Sequence, residues 1–354
     1  MSKLPETMKA LVAYTPDRYV LETDWPRPKA GPDEIIIRVE ACGVCAGDVK
    51  AKHGAERFWN SYIIPPFIPG HEFVGHVVEL GSGITEFSVG DRVVSEQIVP
   101  CGKCMFCRTG RYWMCEISDV YGFKDRVNGG MAEYMRLPAN ARTYMIPMDM
   151  PIEKAILVEP YSCSKHAVDR AQIGLEDVVV ISGCGTLGLG MVGIAHMKNP
   201  KILVALDIKD ERLEKAKEFG ADFAWNPMKV NVVEEIRKLT GGYGCDIYIE
   251  ATGHPASVVQ GMDMIRKLGR FVEFSVFGAP TLLDWSIIGD QKELDILGAH
   301  LSPYCFPPVI DWIDKDLVGT RGVAELFFSL DDWEKAFRIA ETGEGNTFKV
   351  VLKP

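Results

Sequence analysis

The sequence predicts an α/β protein in which a β-rich domain is combined with a doubly wound parallel sheet. Residues 1 to about 150 consist of short apolar or alternating runs divided by turn residues, without a helical pattern between them, which favours a barrel-like antiparallel domain. From Val178 onward, strand and helix patterns alternate, as they do in a parallel sheet covered by helices. A chain of 354 residues is long enough for two such domains.

The composition is that of an ordinary globular protein and restricts the class of partner. Acidic residues outnumber basic ones by 49 to 39, and the resulting net charge of −10 disfavours nucleic-acid binding as the main activity. The sequence has no apolar run long enough for a membrane span and no signal-peptide core near its first residues. We therefore expect a cytoplasmic protein without a membrane partner, whose ten cysteines serve metal binding or catalysis rather than disulfides.

Three candidate metal ligands lie in the β-rich part, where the predicted strands are Met8–Tyr14, Glu34–Ala41, Phe73–Leu80 and Met131–Leu137. Cys45 offers a thiolate, His71 an imidazole and Glu72 a carboxylate, which are all good zinc donors. Adjacent residues of a flat strand point to opposite faces, but the Pro69-Gly70 turn allows His71 and Glu72 to converge. The alternatives are a buried thiol that acts as a small apolar group and a histidine that is only hydrogen-bonded.

A second group of cysteines has the spacing of a closed metal site. Its members, separated by two, two and seven residues, are Cys101, Cys104, Cys107 and Cys115. Four thiolates can surround one zinc ion tetrahedrally and leave no open position, so this site is predicted to be structural. An iron–sulfur cluster, disulfides and a nucleic-acid zinc knuckle are the alternatives, and compartment and net charge disfavour the last two.

A helical pattern over Ile152–Ala171 contains a carboxylate in an apolar stretch. Glu159 follows the run Ala155-Ile156-Leu157-Val158, and a carboxylate in such surroundings needs a partner because a bare buried charge is costly. A metal ion would be a sufficient partner. A helix cap or an exposed acid is the alternative interpretation.

The stretch from Val178 to Gly188 carries the strongest binding motif. A β-branched run ends in a glycine-rich turn, and an apolar helical pattern follows. In such a strand–turn–helix unit, Gly183 permits the tight turn, Gly185 lets the backbone approach a pyrophosphate, and Gly188 lets the helix pack closely on the strand. The candidate coenzyme-binding residues of this turn are Gly183, Gly185, Thr186, Leu187 and Gly188.

An acidic residue follows at the spacing that a dinucleotide-binding unit requires. The next predicted strand, Lys201–Leu206, ends in Asp207, about 20 residues beyond the last glycine. A carboxylate at this place can bind both ribose hydroxyls of adenosine and would repel a 2′-phosphate, which favours NAD over NADP. An ordinary α/β turn with a helix-capping aspartate is the alternative.

The remaining elements complete the alternating pattern. The predicted strands are Phe223–Trp225, Asp246–Glu250, Arg270–Ser275, Leu294–Leu297 and Phe348–Leu352. The predicted helices are Glu211–Phe219, Val230–Thr240, Pro255–Leu268, Pro307–Leu317 and Asp331–Thr342.

Together, these motifs resemble the zinc-containing medium-chain alcohol and polyol dehydrogenases, in order and over the whole chain. The resemblance implies a GroES-like catalytic domain of residues 1–162 and 299–354, with a structural zinc lobe at about residues 98–118. It also implies a Rossmann NAD-binding domain of residues 163–298, with the active site in the cleft. The family is often tetrameric, so the resemblance implies a homo-oligomer.

The pair Glu159-Pro160 is similar to the sorbitol, threonine and butanediol dehydrogenase branches of this family. By resemblance, Cys45, His71 and Glu72 are the ligands of a catalytic zinc. Glu159 is the fourth, exchangeable ligand, either direct or through water, and Cys163 is not nominated. The implied cofactors are NAD and two zinc ions per chain, one catalytic and one structural.

The chain departs from the family at two positions near the predicted ligands. Gly47 stands where many relatives have a serine or threonine that passes the alcohol proton, and Lys50 stands where histidine is common. Glu159 with ordered water, or the hydroxyls of the substrate, would have to take the proton. Lys50 remains a candidate catalytic residue.

The resemblance implies that a secondary alcohol of a short polyol passes a hydride to NAD and becomes a ketose, with zinc as the Lewis acid. Residues expected to border the cleft are Lys50, Phe58, Trp59, Tyr121 and Glu159, although the aromatic ones could equally be core residues. Phe58 and Trp59 would narrow the pocket, which favours a short polyol. The Cys45-Ala46-Gly47-Asp48 turn and the Tyr112-Trp113-Met114-Cys115 run resemble dehydrogenases of four-carbon polyols such as erythritol and threitol. Sorbitol, xylitol, 2,3-butanediol and L-threonine stay open as substrates, and so does a coenzyme-binding structural protein.

Overall fold

The computed structural model describes residues 4–354 and divides the chain into two compact units. The first unit takes the chain up to Glu159 together with Phe306–Lys315 and Thr320–Pro354, and the second consists of Pro160–Cys305 and Asp316–Gly319. Residues 1–3, which belong to the segment on which the expected localisation rests, lie outside the described residues. Along the described chain, no helix has the length and apolar character to cross a membrane.

The chain up to Ala155 is dominated by short strands, and each of the four strands predicted there is present with shifted ends. The strands are β1 (Thr7–Thr15), β2 (Arg18–Pro26), β3 (Ile35–Val44), β4 (Glu72–Leu80), β5 (Arg92–Ser95), β6 (Ile98–Val99), β7 (Asp119–Val120), β8 (Tyr134–Leu137) and β9 (Thr143–Met145). The helices are α1 (Ala46–Lys52), α2 (Glu56–Trp59), α3 (Met105–Arg108) and α4 (Ile152–Ala155), with a 3-10 turn at Tyr112–Met114.

Strands and helices then alternate, as predicted. The helices are α5 (Val158–Ala171), α6 (Thr186–Met197), α7 (Asp210–Glu218), α8 (Val232–Leu239) and α9 (Pro255–Met264). The strands are β10 (Val178–Ser182), β11 (Ile202–Leu206), β12 (Phe223–Trp225), β13 (Cys245–Glu250), β14 (Ile265–Glu273) and β15 (Asp295–Gly298). The carboxyl-terminal part contains α10 (Phe306–Asp314), β16 (Ala324–Ser329), α11 (Trp333–Thr342) and β17 (Lys349–Lys353).

The larger sheet of the first unit joins strands from both ends of the chain. Its order is β16-β17-β3-β4-β5-β9, and β8 also pairs with β3. The core beneath it combines early and late side chains such as Leu11, Ile37, Phe73, Phe337 and Leu352. The pairs are antiparallel except at one edge, where β16 runs parallel to β17. The strand pairs within residues 1 to about 150 are antiparallel, as expected. The parallel pair belongs to the carboxyl-terminal part of the chain, where α11 provides the crossover that such a pair needs.

The sheet of the second unit is parallel and confirms the predicted doubly wound arrangement. Its order is β12-β11-β10-β13-β14-β15. Every residue of β10 is buried, which is typical of a strand covered on both faces. Because β11 and β13 flank β10, the strand order reverses there, and ligands bind beyond the carboxyl ends of the strands at such a switch point.

One predicted helix is too long. The pattern predicted a helix to Leu268, but α9 ends at Met264 and β14 begins at Ile265. Ile265 pairs with Cys245 of β13, and Leu268 adopts a positive φ of 58° that interrupts a helix. The apolar spacing of this segment suits either element, so the long-range pairing with β13 decides its structure.

Candidate active site and metal centres

The structure brings Cys45, His71 and Glu72 together in the first unit. Cys45 caps the amino terminus of α1, and His71 and Glu72 lie at the start of β4. One donor atom from each residue lies within 4.8 Å of the others. Gly70, with a φ of 97°, makes this convergence possible, and a Cβ there would stand 2.4 Å from Cys42 Sγ. A thiolate, an imidazole and a carboxylate at these separations have the chemistry of a catalytic zinc site.

Asp48 orients the predicted histidine ligand, a role that the sequence analysis missed. Its Oδ2 accepts a hydrogen bond from the backbone N–H of Cys45 at 2.9 Å, and its Oδ1 lies 3.7 Å from His71 Nδ1. Both atoms of that second contact are buried, and within residues 4–354 neither has a hydrogen-bond partner. A carboxylate facing Nδ1 leaves Nε2 as the nitrogen for a metal, a common arrangement of metal-bound histidines.

The charges around His71 favour a cation. Burial alone lowers the pKa of His71, but Asp48 and Cys45 raise the pKa well above its ordinary value, and Glu159 contributes in the same direction. Burial also raises the pKa of Asp48, although His71 opposes this effect. An anionic pocket that favours a proton on the imidazole equally favours a metal dication bound to it. The residues present therefore fit the zinc ion that the resemblance implies.

Lys349, which lies near the carboxyl terminus of the chain, contacts Glu72 of this cluster. It was not among the residues predicted from the sequence. Its Nζ donates to Glu72 Oε1 at 2.7 Å and to Glu72 Oε2 at 2.6 Å. Burial lowers the pKa of Lys349, but Glu72 and Cys45 raise it to a value above the ordinary one, so the ammonium group stays charged. Glu72 is thus a candidate ligand that already has a cationic partner.

The other two predicted catalytic residues lie near the cluster but outside its closest group. Glu159 is in the first turn of α5, is buried, and acts electrostatically on both His71 and Lys349. Lys50 is half-buried on α1. Glu159 is not in the group of donor atoms that lie within 4.8 Å of one another, which consists of Cys45, His71 and Glu72.

Aromatic rings cover one side of His71, and not all of them are the predicted ones. Phe123 stacks on the His71 ring with centroids 5.6 Å apart, and Phe58 stacks on Phe123 at 5.7 Å. Trp59 donates its indole N–H to the carbonyl of Ala51 instead. Tyr121 is fully buried against Phe73, so the core interpretation holds for this residue. Phe123 had no distinguishing sequence pattern, because only the fold places it against His71.

The four cysteines between residues 101 and 115 also converge. Their sulfur atoms lie within 4.8 Å of one another, and all four thiols are free. The backbone N–H of Cys101 donates to Cys115 Sγ at 3.3 Å, and that of Cys104 donates to Cys101 Sγ at 3.4 Å. Backbone N–H groups lower the pKa of Cys104 to about 6, whereas burial raises the pKa of Cys107 to about 12. A dication is what would allow all four thiols to ionise together, so this set fits a structural zinc.

A buried carboxylate joins this lobe to the sheet of the first unit. Glu96 accepts hydrogen bonds from the hydroxyl of Tyr112 at 2.8 Å and from that of Tyr144 at 2.8 Å. Arg142 donates to the same carboxylate at 3.2 Å and lies over the Tyr112 ring. Tyr112 belongs to the turn before Cys115, so the lobe is fixed to the sheet near its last cysteine.

The glycine turn of the second unit has the geometry that its spacing predicts. Gly183 adopts a φ of 100°, and a Cβ at Gly188 would stand 1.7 Å from the carbonyl oxygen of Gly183. A Cβ at Gly185 would meet only Arg212, at 3.8 Å, so the backbone there is open to a ligand. Gly185 caps α6, and Thr186 and Leu187 are the first residues of that helix. A helix of this length presents its first N–H groups to an anion.

Asp207 lies beside this turn, at the end of β11. Its Oδ2 accepts from the backbone N–H of Cys184 at 2.8 Å, and its Oδ1 accepts from that of Lys209 at 2.9 Å. Arg212 Nη1 is 3.7 Å from the same carboxylate. Because each carboxylate oxygen has a second lone pair, these bonds fix the orientation of Asp207 and leave acceptors for ribose hydroxyls.

Comparison with known proteins agrees with this geometry. Family models match at residues 31–148, described as an alcohol dehydrogenase GroES-like domain, and at residues 186–315, described as a zinc-binding dehydrogenase. The chain is 46% identical to erythritol/L-threitol dehydrogenase of Mycolicibacterium smegmatis, covering 100% of this chain and 99% of the relative.

Two solved structures share the whole fold. An alcohol dehydrogenase of Escherichia coli CFT073 complexed with NADH has a TM-score of 0.88 at 28% identity, covering 99% of this chain and 100% of that one. A zinc-binding dehydrogenase of Sinorhizobium meliloti 1021 bound to NADP has a TM-score of 0.89 at 26% identity, with the same coverage.

Proposed function

The chain belongs to the zinc-dependent alcohol dehydrogenase family, and on that premise we propose that it oxidises a secondary alcohol of a four-carbon polyol with NAD. The observation that carries the substrate class is the 46% identity to an erythritol/L-threitol dehydrogenase over essentially the full length of both chains. The donor set of Cys45, His71 and Glu72 and the glycine turn beside Asp207 supply the two binding sites that the reaction needs.

The proposed reaction divides its tasks among residues with distinct surroundings. Zinc bound at the donor set would supply a Lewis acid for the alcohol oxygen, and NAD would supply the hydride acceptor. Cys45 and His71 would hold the metal directly, and Asp48 would keep the imidazole oriented. Phe123 and Phe58 form an apolar cover over one face of His71 and would exclude water from that side.

We assign the proton-accepting role to Glu159, with Lys50 as a candidate second group. A Cβ at Gly47 would stand 3.8 Å from Cys45 Sγ and 4.0 Å from His71 Cε1, so a hydroxyl there would lie beside the ligands. Glycine supplies no hydroxyl. Asp48 and Glu159 are both buried carboxylates whose charge acts on His71, and Asp48 faces Nδ1 of the ring, so Glu159 is the one that we assign to the proton. Its ionised form would accept the alcohol proton through ordered water.

We also propose that residues 1–162 and 299–354 form the catalytic domain and residues 163–298 the NAD domain, with the structural zinc lobe at about residues 98–118. The compact units, which change at Glu159/Pro160 and at Cys305/Phe306, support a division of this kind. Family resemblance supports a cytoplasmic homotetramer. Neither nucleic acid nor membrane is among the proposed partners, in keeping with the net charge of −10.

The coenzyme assignment predicts that Asp207→Ala weakens NADH binding about 10- to 100-fold, the cost of losing a charge-assisted hydrogen bond. Discrimination against NADPH should also decrease, because the substitution removes the carboxylate that repels the 2′-phosphate. The cation of Arg212, which is 3.7 Å from that carboxylate, remains in place. Fluorescence titration with NADH and with NADPH measures both effects.

The matched control for this substitution is Asp210→Ala, which removes an exposed carboxylate three residues further along the chain. Asp210 bonds to Lys229 and Asn226 rather than to the glycine turn. Its replacement should leave the ratio of the two affinities unchanged. An unchanged ratio in Asp207→Ala as well would exclude the ribose role.

The substrate proposal is tested by NADH formation with polyols of four to six carbons, 2,3-butanediol and L-threonine. We expect the highest kcat/KM with a four-carbon polyol and loss of activity when the metal is chelated. Preference for a longer polyol, for butanediol or for threonine would keep the reaction class but reject the substrate. Absence of turnover on every alcohol would instead favour a coenzyme-binding structural protein.

A further inference from the structure

A buried carboxylate that the proposed reaction does not use stands at the end of the strand next to the glycine turn. Glu250 is the last residue of β13, is fully buried, and pairs with Ser182, the last residue of β10. Along the chain, β10 is followed outward by β11 and β12, and β13 then lies on the other side of β10. The crevice of a dinucleotide-binding sheet opens at this switch point, between the loops that follow β10 and β13.

The loop after β13, residues 251–253, packs directly against the glycine turn. The backbone N–H of Ala251 donates to the carbonyl of Ser182 at 2.8 Å. A Cβ at Gly183 would stand 2.8 Å from the carbonyl oxygen of Ala251 and 3.0 Å from Thr252 Cγ2. The two loops therefore form adjoining walls of the crevice, and a shift of residues 251–253 would change its shape.

Glu250 holds this loop with its side chain. Its Oε1 accepts hydrogen bonds from the backbone N–H of Thr252 at 2.8 Å, from the Thr252 hydroxyl, and from the backbone N–H of Gly253 at 3.2 Å. Its Oε2 accepts from the same Gly253 N–H at 3.2 Å. A carboxylate offers only acceptors, so it can bond to all of these donors at once. Gly253 has a φ of 70°, which glycine adopts readily and which lets the chain turn around the carboxylate.

The topology assigns one half of the coenzyme to each side of β10. Asp207 follows β11, and in the proposed function it binds the adenosine ribose on that side. The pyrophosphate would lie at the glycine turn. The nicotinamide half would then pass residues 251–253 on the β13 side of the crevice. Because Glu250 is fully buried, it would act on the coenzyme only through this loop.

We propose that Glu250 is a positioning residue that fixes residues 251–253 as the wall for the nicotinamide half of NAD. The inference rests on the proposed function and deepens it, because the position of the nicotinamide ring decides where the hydride is received. The donors that Glu250 bonds to are two backbone N–H groups and a hydroxyl, all of them neutral. The number and the reach of its acceptors therefore matter more than its charge.

The test compares the binding of NADH with that of ADP, which contains the adenosine and the pyrophosphate but lacks the nicotinamide half. Isothermal titration calorimetry measures both dissociation constants. Glu250→Met removes both acceptors and should weaken NADH binding at least about tenfold, because the donors of Thr252 and Gly253 lose their partner. ADP binding should change by no more than about twofold. Glu250→Gln keeps the length and one acceptor oxygen, so its NADH affinity should stay within about threefold of that of the unsubstituted protein.

Glu250→Asp separates reach from charge, and it replaces Glu250→Met in the test if that variant does not fold. It keeps the carboxylate but is one methylene shorter, so it should weaken NADH binding at least about threefold and leave ADP binding unchanged. Equal weakening of NADH and ADP binding would indicate general damage to the second unit and would overturn the inference. Normal NADH affinity in Glu250→Met would overturn it too. So would a loss of affinity in Glu250→Gln without one in Glu250→Asp, since the charge would then be decisive.

Failure of the proposed function has a different outcome in this experiment. An unsubstituted protein that binds neither NADH nor ADP would overturn the coenzyme site and this inference with it. A protein that binds NADH but oxidises none of the alcohols would overturn the proposed reaction alone, and the difference between NADH and ADP binding in the variants would still decide the inference.

Discussion

Replacement of Cys45 by alanine is expected to abolish alcohol oxidation while leaving coenzyme binding intact. The substitution removes the thiolate from the donor set that lies within 4.8 Å and leaves only His71 and Glu72 in it, with Glu72 bound to Lys349. Loss of the metal removes several kcal/mol of transition-state stabilisation, so kcat/KM should fall at least about 10³-fold. Zinc analysis should show the loss of about one ion per chain.

The coenzyme site provides the test of specificity for this prediction. The glycine turn and Asp207 belong to the second unit, and no atom of Cys45 takes part in them. NADH affinity, measured by fluorescence titration, should therefore change by no more than about twofold. Cys163→Ala is the matched control, because it is the same substitution at a buried cysteine that has no proposed role, and it should keep its activity and both zinc ions. Loss of NADH binding in Cys45→Ala would mean that the ligand assignment is wrong.

Local patterns predicted most of the second unit because its determinants are close in sequence. Gly183, Gly185 and Gly188 lie within six residues. Gly183 has a positive φ, Gly188 has no room for a Cβ, and the backbone at Gly185 is open. The β-branched run of β10 and the helices around it follow from periodicity alone. The error at Ile265 arose where a strand pairing with Cys245 competed with an equally good helical pattern.

The candidate active site was only partly predictable because its residues come together through tertiary pairing. Cys45, His71 and Glu72 were nominated by residue type, but Lys349 is 277 positions from Glu72 and stands in a run that reads as an ordinary strand. Its contact depends on the strand order β17-β3-β4 and on Gly43 of β3, where a Cβ would stand 2.2 Å from Glu72 Oε2. Phe123 and the orientation of Asp48 were missed for the same reason. A lysine within an apolar strand was the one local indication available.

Replacement of Cys104 by serine is expected to damage stability far more than the chemistry of the folded enzyme. Cys104 precedes α3 and contributes one of the four sulfur atoms of the lobe. Without zinc, the remaining thiols have no common partner, and the turns at Gly102 and Gly110 lose the ion that would fix them. Loss of a structural metal from a domain should lower the melting temperature by roughly 10 °C and reduce the zinc content by about one ion per chain.

Met105→Ser separates the metal effect from a change of surface in the same lobe. Met105 is adjacent to Cys104 and is 56% exposed, so its replacement should leave both the zinc content and the melting temperature nearly unchanged. Because Glu96 and Tyr112 join the lobe to the sheet, disorder in Cys104→Ser should extend to the segments that carry Tyr112 and Tyr144, where faster exchange of the backbone amides would report it. The fraction of Cys104→Ser that remains folded should retain its KM for the polyol, since the lobe supplies no ligand to the catalytic set. A variant of normal stability without activity would contradict a structural role and place the four-cysteine site in the reaction itself.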